Sequence, residues 1–122
     1  MQISLDTPTN EFHIQSYSDG IITVNRKSYQ QPIVLTLDTL ATDPLLTTIE
    51  SLDEKYLMEI GFQQHEVVLI GTGLNLVFPD WELIEFAQMK GTPLELMATG
   101  AACRTFTALA GEGRKVLAIL FP

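Results

Sequence analysis

The stretch that most constrains this fold is Glu66-Val-Val-Leu-Ile-Gly-Thr-Gly73. Val67 to Ile70 is a continuous apolar run, β-branched at three of its four positions and stopped by two glycines around a threonine. A run this short makes no helix of its own, and its lack of polar alternation leaves no face for solvent. It reads as a strand covered on both sides, as in a parallel sheet. A helical pattern, the short run Leu94–Met97, a second helical pattern and the run Val116–Leu120 follow. Strand and helix therefore alternate in βαβαβ order, and right-handed crossovers place the first two of these strands side by side.

The residues ahead of this core are β-prone. Residues 1–10 read as a loose or edge strand and a loop. Asp19-Gly20 lies between two β-prone runs, which is the signature of a type I′ hairpin turn. Asn25-Arg26-Lys27 makes a second turn, and Pro32 opens a strand through Leu37, so residues 1–37 form a β-meander. A polar loop with Asp43-Pro44 follows. Ser51-Leu-Asp-Glu54 fits a capping box, with Leu52, Tyr56 and Ile60 on the buried face and Gly61 as the stop. Asp80 opens the second helix, whose apolar face contains Trp81, Leu83, Ile84, Phe86 and Ala87. Met89, Met97 and the phenylalanines read as core. Thr99 caps a third helix that runs to about Ala110.

Composition narrows the function classes. Fifteen acids against seven bases give a formal charge of −8, the opposite of what a phosphate-binding surface requires, so no nucleic-acid partner is expected. The longest apolar runs are too short to span a bilayer. The single Cys103 excludes an internal disulfide, and the first residues carry no secretory or transit pattern; the expectation is a cytoplasmic protein of one domain over 1–122.

In an open α/β sheet, ligands bind beyond the carboxyl ends of the strands. Gly71, Thr72 and Gly73 leave that edge, as do Thr99 and the turn that leads to Arg104, and these five residues are the candidate ligand site. Gly71-Thr-Gly73 is not a dinucleotide fingerprint: the third glycine and the immediate helix are missing. An arginine in the first turns of a helix opposes the helix dipole, so a salt bridge to Glu95 or Glu112, or a bound anion, is expected to answer it. Cys103 has no histidine nearby in sequence to act as base and reads as a small core residue beside Ala102, Phe106 and Ala110. No carboxylate pair suits acid–base catalysis, and two scattered histidines make no metal site. No catalytic residue, metal or cofactor is expected.

Glu66–Gly73, the following Pro79, the run Glu95-Leu-Met-Ala-Thr-Gly-Ala-Ala-Cys-Arg-Thr-Phe106 and Glu112-Gly-Arg114 strongly resemble a family of small domains of unassigned activity. It includes bacterial and archaeal hypothetical proteins, adipogenesis-associated proteins and the third mitochondrial complex I assembly factor. The resemblance implies an α/β fold: a three-layer domain with a mixed central β-sheet flanked by helices, extra N-terminal strands packed on it, and an αβαβαβ core over 51–122. It implies no established catalysis. The expected function is a non-enzymatic protein-binding or assembly module, with the N-terminal sheet as a candidate surface for a protein partner of unknown identity; the alternative is a small-ligand or anion-binding protein, or a weak enzyme, using the site at the sheet edge.

Overall fold

In the computed structural model, which describes residues 11–122, two left-handed turns shape the β-rich start. Asp19 and Gly20 have φ of 52° and 73°, and Asn25 and Arg26 have 49° and 71°, so each pair supplies the two positive-φ positions of a type I′ turn. They join β1 (Ile14–Ser18), β2 (Ile21–Val24) and β3 (Lys27–Tyr29) into a three-stranded antiparallel sheet. The edge strand expected of residues 1–10 lies outside the described residues.

The meander stops there. β4 (Ile33–Leu35) leaves it for a second sheet, where it pairs antiparallel with β5 (Leu40–Thr42) on one side and with β8 (Val116–Leu120) on the other. β5 occupies the segment that the sequence presents as polar loop: its three residues carry no apolar alternation, and backbone pairing to β4 alone makes it a strand. β6 (Val67–Gly71) is parallel to both β8 and β7 (Leu94–Met97), which gives the mixed five-strand order β5-β4-β8-β6-β7.

Alternation along the two central strands builds the layers. Val68 and Ile70, with Leu117 and Ile119, face one core with Leu57, Phe62, Leu83 and Ala87. Leu69, with Val116, Ala118 and Leu120, faces the other, which holds Ile22, Val24, Ala102 and Phe106. α1 (Glu54–Glu59) and α2 (Trp81–Met89) thus cover one face of the sheet; α3 (Thr99–Gly111) and the three-stranded sheet cover the other. The α/β class, the mixed central sheet and the packed N-terminal strands match the expectation.

Three local readings are corrected. Asp53, not Ser51, caps the first helix: its Oδ1 accepts the Tyr56 amide at 2.8 Å, while Ser51 closes a separate 3₁₀ turn over Ile49–Ser51. Two cap-forming residues stand close together, and the chain is already extended at Leu52 and Asp53, so the helix starts after the aspartate. Trp81 leaves the buried face of α2, which Leu83 and Ala87 fill at four-residue spacing. Met89 and Phe78 are exposed rather than core.

Candidate functional site

The parallel strands β6, β7 and β8 end at one edge of the sheet, and one hydroxyl ties their exits together. Thr99, the first residue of α3, is fully buried, and its Oγ1 donates to the Phe121 carbonyl beyond β8 at 2.6 Å while accepting the Gly73 amide beyond β6 at 2.7 Å. This corrects its expected role as a cap: Ala98 holds that position without a side-chain bond, and the threonine oxygen is spent across the sheet. To reach β8 from the end of β7, Thr99 must pass over β6. A Cβ on Gly71 would lie 2.9 Å from Thr99 Oγ1 and 3.0 Å from Thr99 Cα, so the crossing requires glycine there. The backbone completes the brace: Thr99 N–H donates to Gly73 O, Thr72 N–H to Met97 O, and Phe121 N–H to Gly71 O, at 2.8 to 2.9 Å.

From this base rises the loop between β6 and α2. Thr72 Oγ1 donates to the Asn75 carbonyl at 2.7 Å and accepts the Val77 amide at 3.0 Å, which fixes the loop from inside. Gly73 sits at φ 106°, a backbone angle that other residues rarely adopt. With its polar groups turned inward, the loop turns its apolar side chains out: Leu74, Leu76, Val77, Phe78 and Trp81 are all exposed, Leu74 at 82% and Trp81 at 69%. Asp80, Glu82 and Glu85 stand beside them, and no lysine or arginine occurs from Val67 to Met89.

Of the five expected site residues, Gly71, Thr72, Gly73 and Thr99 therefore come together, bonded to the protein itself. Arg104 lies elsewhere. It lines an open cleft of about 380 Å³ between β1 and the face of α3 that carries Gly100, Cys103, Arg104 and Thr107. Among the described residues it makes no ion pair, with Glu95, Glu112 or any other acid.

Cys103 is buried beside Ala102 and Phe106 as expected. Burial pushes its thiol up to about 11, and the positive charge of Arg104 only partly opposes this. It is a protonated core residue at neutral pH, not a nucleophile. At the opposite end of the sheet, Glu66 accepts from Arg114 Nε at 2.8 Å and from the Lys115 amide at 3.2 Å. These bonds hold its carboxyl below the usual range, the arginine contributing most. Among the described residues no group of three or more metal-binding side chains is assembled, and no helix is long and apolar enough to cross a membrane.

The exposed apolar loop is the feature that sequence reasoning missed. Leu74-Asn-Leu-Val-Phe78 has the composition of a buried strand, and nothing in its period separates a displayed segment from a packed one. The available signal was its place between a glycine turn and Pro79-Asp80, where a further sheet strand has no room.

The chain is similar to proteins of differing names. A "13 kDa major membrane protein" of Francisella tularensis is 29% identical over 107 residues, 87% of each chain. The "NADH dehydrogenase [ubiquinone] 1 alpha subcomplex assembly factor 3" of Danio rerio is 36% identical over 75 residues, which are 62% of this chain and 41% of that protein. The chain thus spans less than half the length of this assembly factor. The solution structure of a Xanthomonas campestris protein superposes with a TM-score of 0.82 at 25% identity, over 98% of this chain and 92% of the other. Residues 14–121, nearly the whole described chain, match one family, and the protein belongs to it: the proteins of unknown function DUF498/DUF598.

Proposed function

We propose that the protein acts without catalysis, as a module that holds another protein, and that the loop from Leu74 to Trp81 is the contact. One observation carries this reading: five large apolar side chains stand exposed within eight residues, on a loop braced by the Thr72 hydroxyl. Soluble surfaces rarely keep such a patch uncovered unless something binds it. Burying a side chain of this size contributes about 1.5–3 kcal/mol. A loop already held in shape loses little entropy on binding.

The acids beside the patch specify the partner further. Asp80, Glu82 and Glu85, with no base nearby in sequence, favour an apolar segment flanked by lysine or arginine and disfavour an anionic bilayer. Two copies of the loop facing each other would bring like charges together. The assembly factor among the relatives supports a role of this kind.

The test is crosslinking in source cells followed by mass spectrometry, comparing the wild type with a Leu76→Asp/Phe78→Asp double variant. Both positions are exposed, so the variant is expected to keep the wild-type fold, which its circular dichroism spectrum checks. Crosslinks from the loop to one reproducible partner, lost in the variant, are expected. The same partner captured equally by both proteins would refute the assignment.

A further inference from the structure

We infer that the cleft between β1 and α3 binds a small organic acid, its apolar body lying against Ile14, Tyr17 and Cys103 and its carboxylate on Arg104. The site is separate from the apolar loop and does not depend on the proposed protein partner.

The missing counter-charge of Arg104 is the starting point. This chain carries more than twice as many acids as bases, fifteen against seven. Arg114 is paired with Glu66 at 2.8 Å and Lys55 with Glu59 at 4.0 Å; Lys27 and Lys90 lie over the rings of Tyr29 and Phe86, 5.5 and 5.6 Å from their centres. Among the described residues Arg104, like Arg26 and Lys115, has no such partner, although Glu95 and Glu112 are close in sequence; of these three only Arg104 lines a cleft whose described lining holds no acidic residue. A guanidinium at the mouth of an acid-free, mainly apolar cleft presents a planar fork that suits a carboxylate.

The shape of the cleft restricts the ligand. At about 380 Å³ it is near the lower end of ligand-binding cavities, which run from about 300 to 1,000 Å³. Gly100 leaves the floor open where the two recognition groups meet: a Cβ there would lie 3.5 Å from Arg104 Nη1 and 3.6 Å from Tyr17 Cδ2. Cation and aromatic ring thus flank one point. A single cation balances one negative charge, so a compact monocarboxylate with an aromatic or branched body fits better than a polyphosphate, which needs several bases.

The probe pair is 2-naphthoate and its uncharged amide, 2-naphthamide, titrated into the full chain while backbone amide resonances are followed. Acetate serves as the charge-only control. Saturable shifts in β1 and α3 are expected with naphthoate and only weak ones with naphthamide or acetate. Arg104→Gln should weaken naphthoate by about tenfold or more, as expected for loss of a charge-assisted pair. It should leave naphthamide unchanged. Ala108→Phe, which fills the cleft from the exposed side of α3, should abolish the shifts without altering the fold. Equal binding of naphthoate and naphthamide, shifts centred on Leu74–Trp81 instead, or no saturation at millimolar probe would each overturn the inference.

Discussion

Replacing Thr99 with valine tests the reading of the sheet edge directly. Valine keeps the volume and branching of threonine, so no cavity opens, and the change isolates one oxygen. That oxygen serves two groups: the Phe121 carbonyl, in a buried residue, and the Gly73 amide, which is partly buried. A buried carbonyl left without a donor costs about 1–3 kcal/mol, and a donor that water partly reaches costs about half as much; the sum is about 1.5–4.5 kcal/mol. Urea unfolding followed by far-ultraviolet circular dichroism measures it, with an unchanged slope against denaturant as the sign that only stability has moved. Thr99→Ser, which keeps the oxygen and loses one methyl, should cost only about 1 kcal/mol. Amide exchange at Gly73 should also accelerate in the valine variant. The reasoning fails if valine costs less than about 0.5 kcal/mol, within the range of neutral changes, or if serine proves worse than valine.

Two other outcomes follow from the electrostatics. With its thiol raised from 9.0 to about 11, Cys103 should react with iodoacetamide at pH 8 about a hundredfold more slowly in the folded than in the denatured chain; equal rates would contradict its burial. Glu66 has its carboxyl lowered by Arg114 and the Lys115 amide, so its contribution exists above the ordinary glutamate value and fades as pH falls through the lowered one. Glu66→Gln should accordingly be less stable than wild type at neutral pH and converge with it in acid, and a difference that stayed constant with pH would refute the assignment.

Much of the architecture is legible because its signals are local. Val67–Ile70 and Val116–Leu120 announce buried strands by their unbroken apolar character, Leu94–Met97 a more exposed one broken by Glu95, and Asp19-Gly20 announces its turn by backbone chemistry. β5 is illegible, since Leu40–Thr42 is a strand only by virtue of its neighbour. The candidate site divides in the same way. The sequence groups Gly71, Thr72, Gly73 and Thr99 at one sheet edge, where they do meet, but composition cannot say whether a threonine oxygen faces a ligand or the carbonyl of Phe121. Trp81 and Phe78 are misread because an apolar residue beside a helix start is usually core, and only the packing of Leu83 and Ala87 leaves them outside.

The strand order also governs how the chain can fold as it is made. β8 is synthesised after every other strand, yet it lies inside the sheet, between β4 and β6. Until it emerges, the β4–β5 hairpin and the β6–β7 pair each keep an unpaired edge rich in isoleucine, leucine and valine. Neither half can complete either core, because Leu117 and Ile119 of β8 fill one and Val116, Ala118 and Leu120 the other. The five-stranded sheet can close only once Val116–Leu120 is in place, and until then those two edges are open to pairing with other chains. A nonsense mutation before Val116 would split the sheet rather than shorten it.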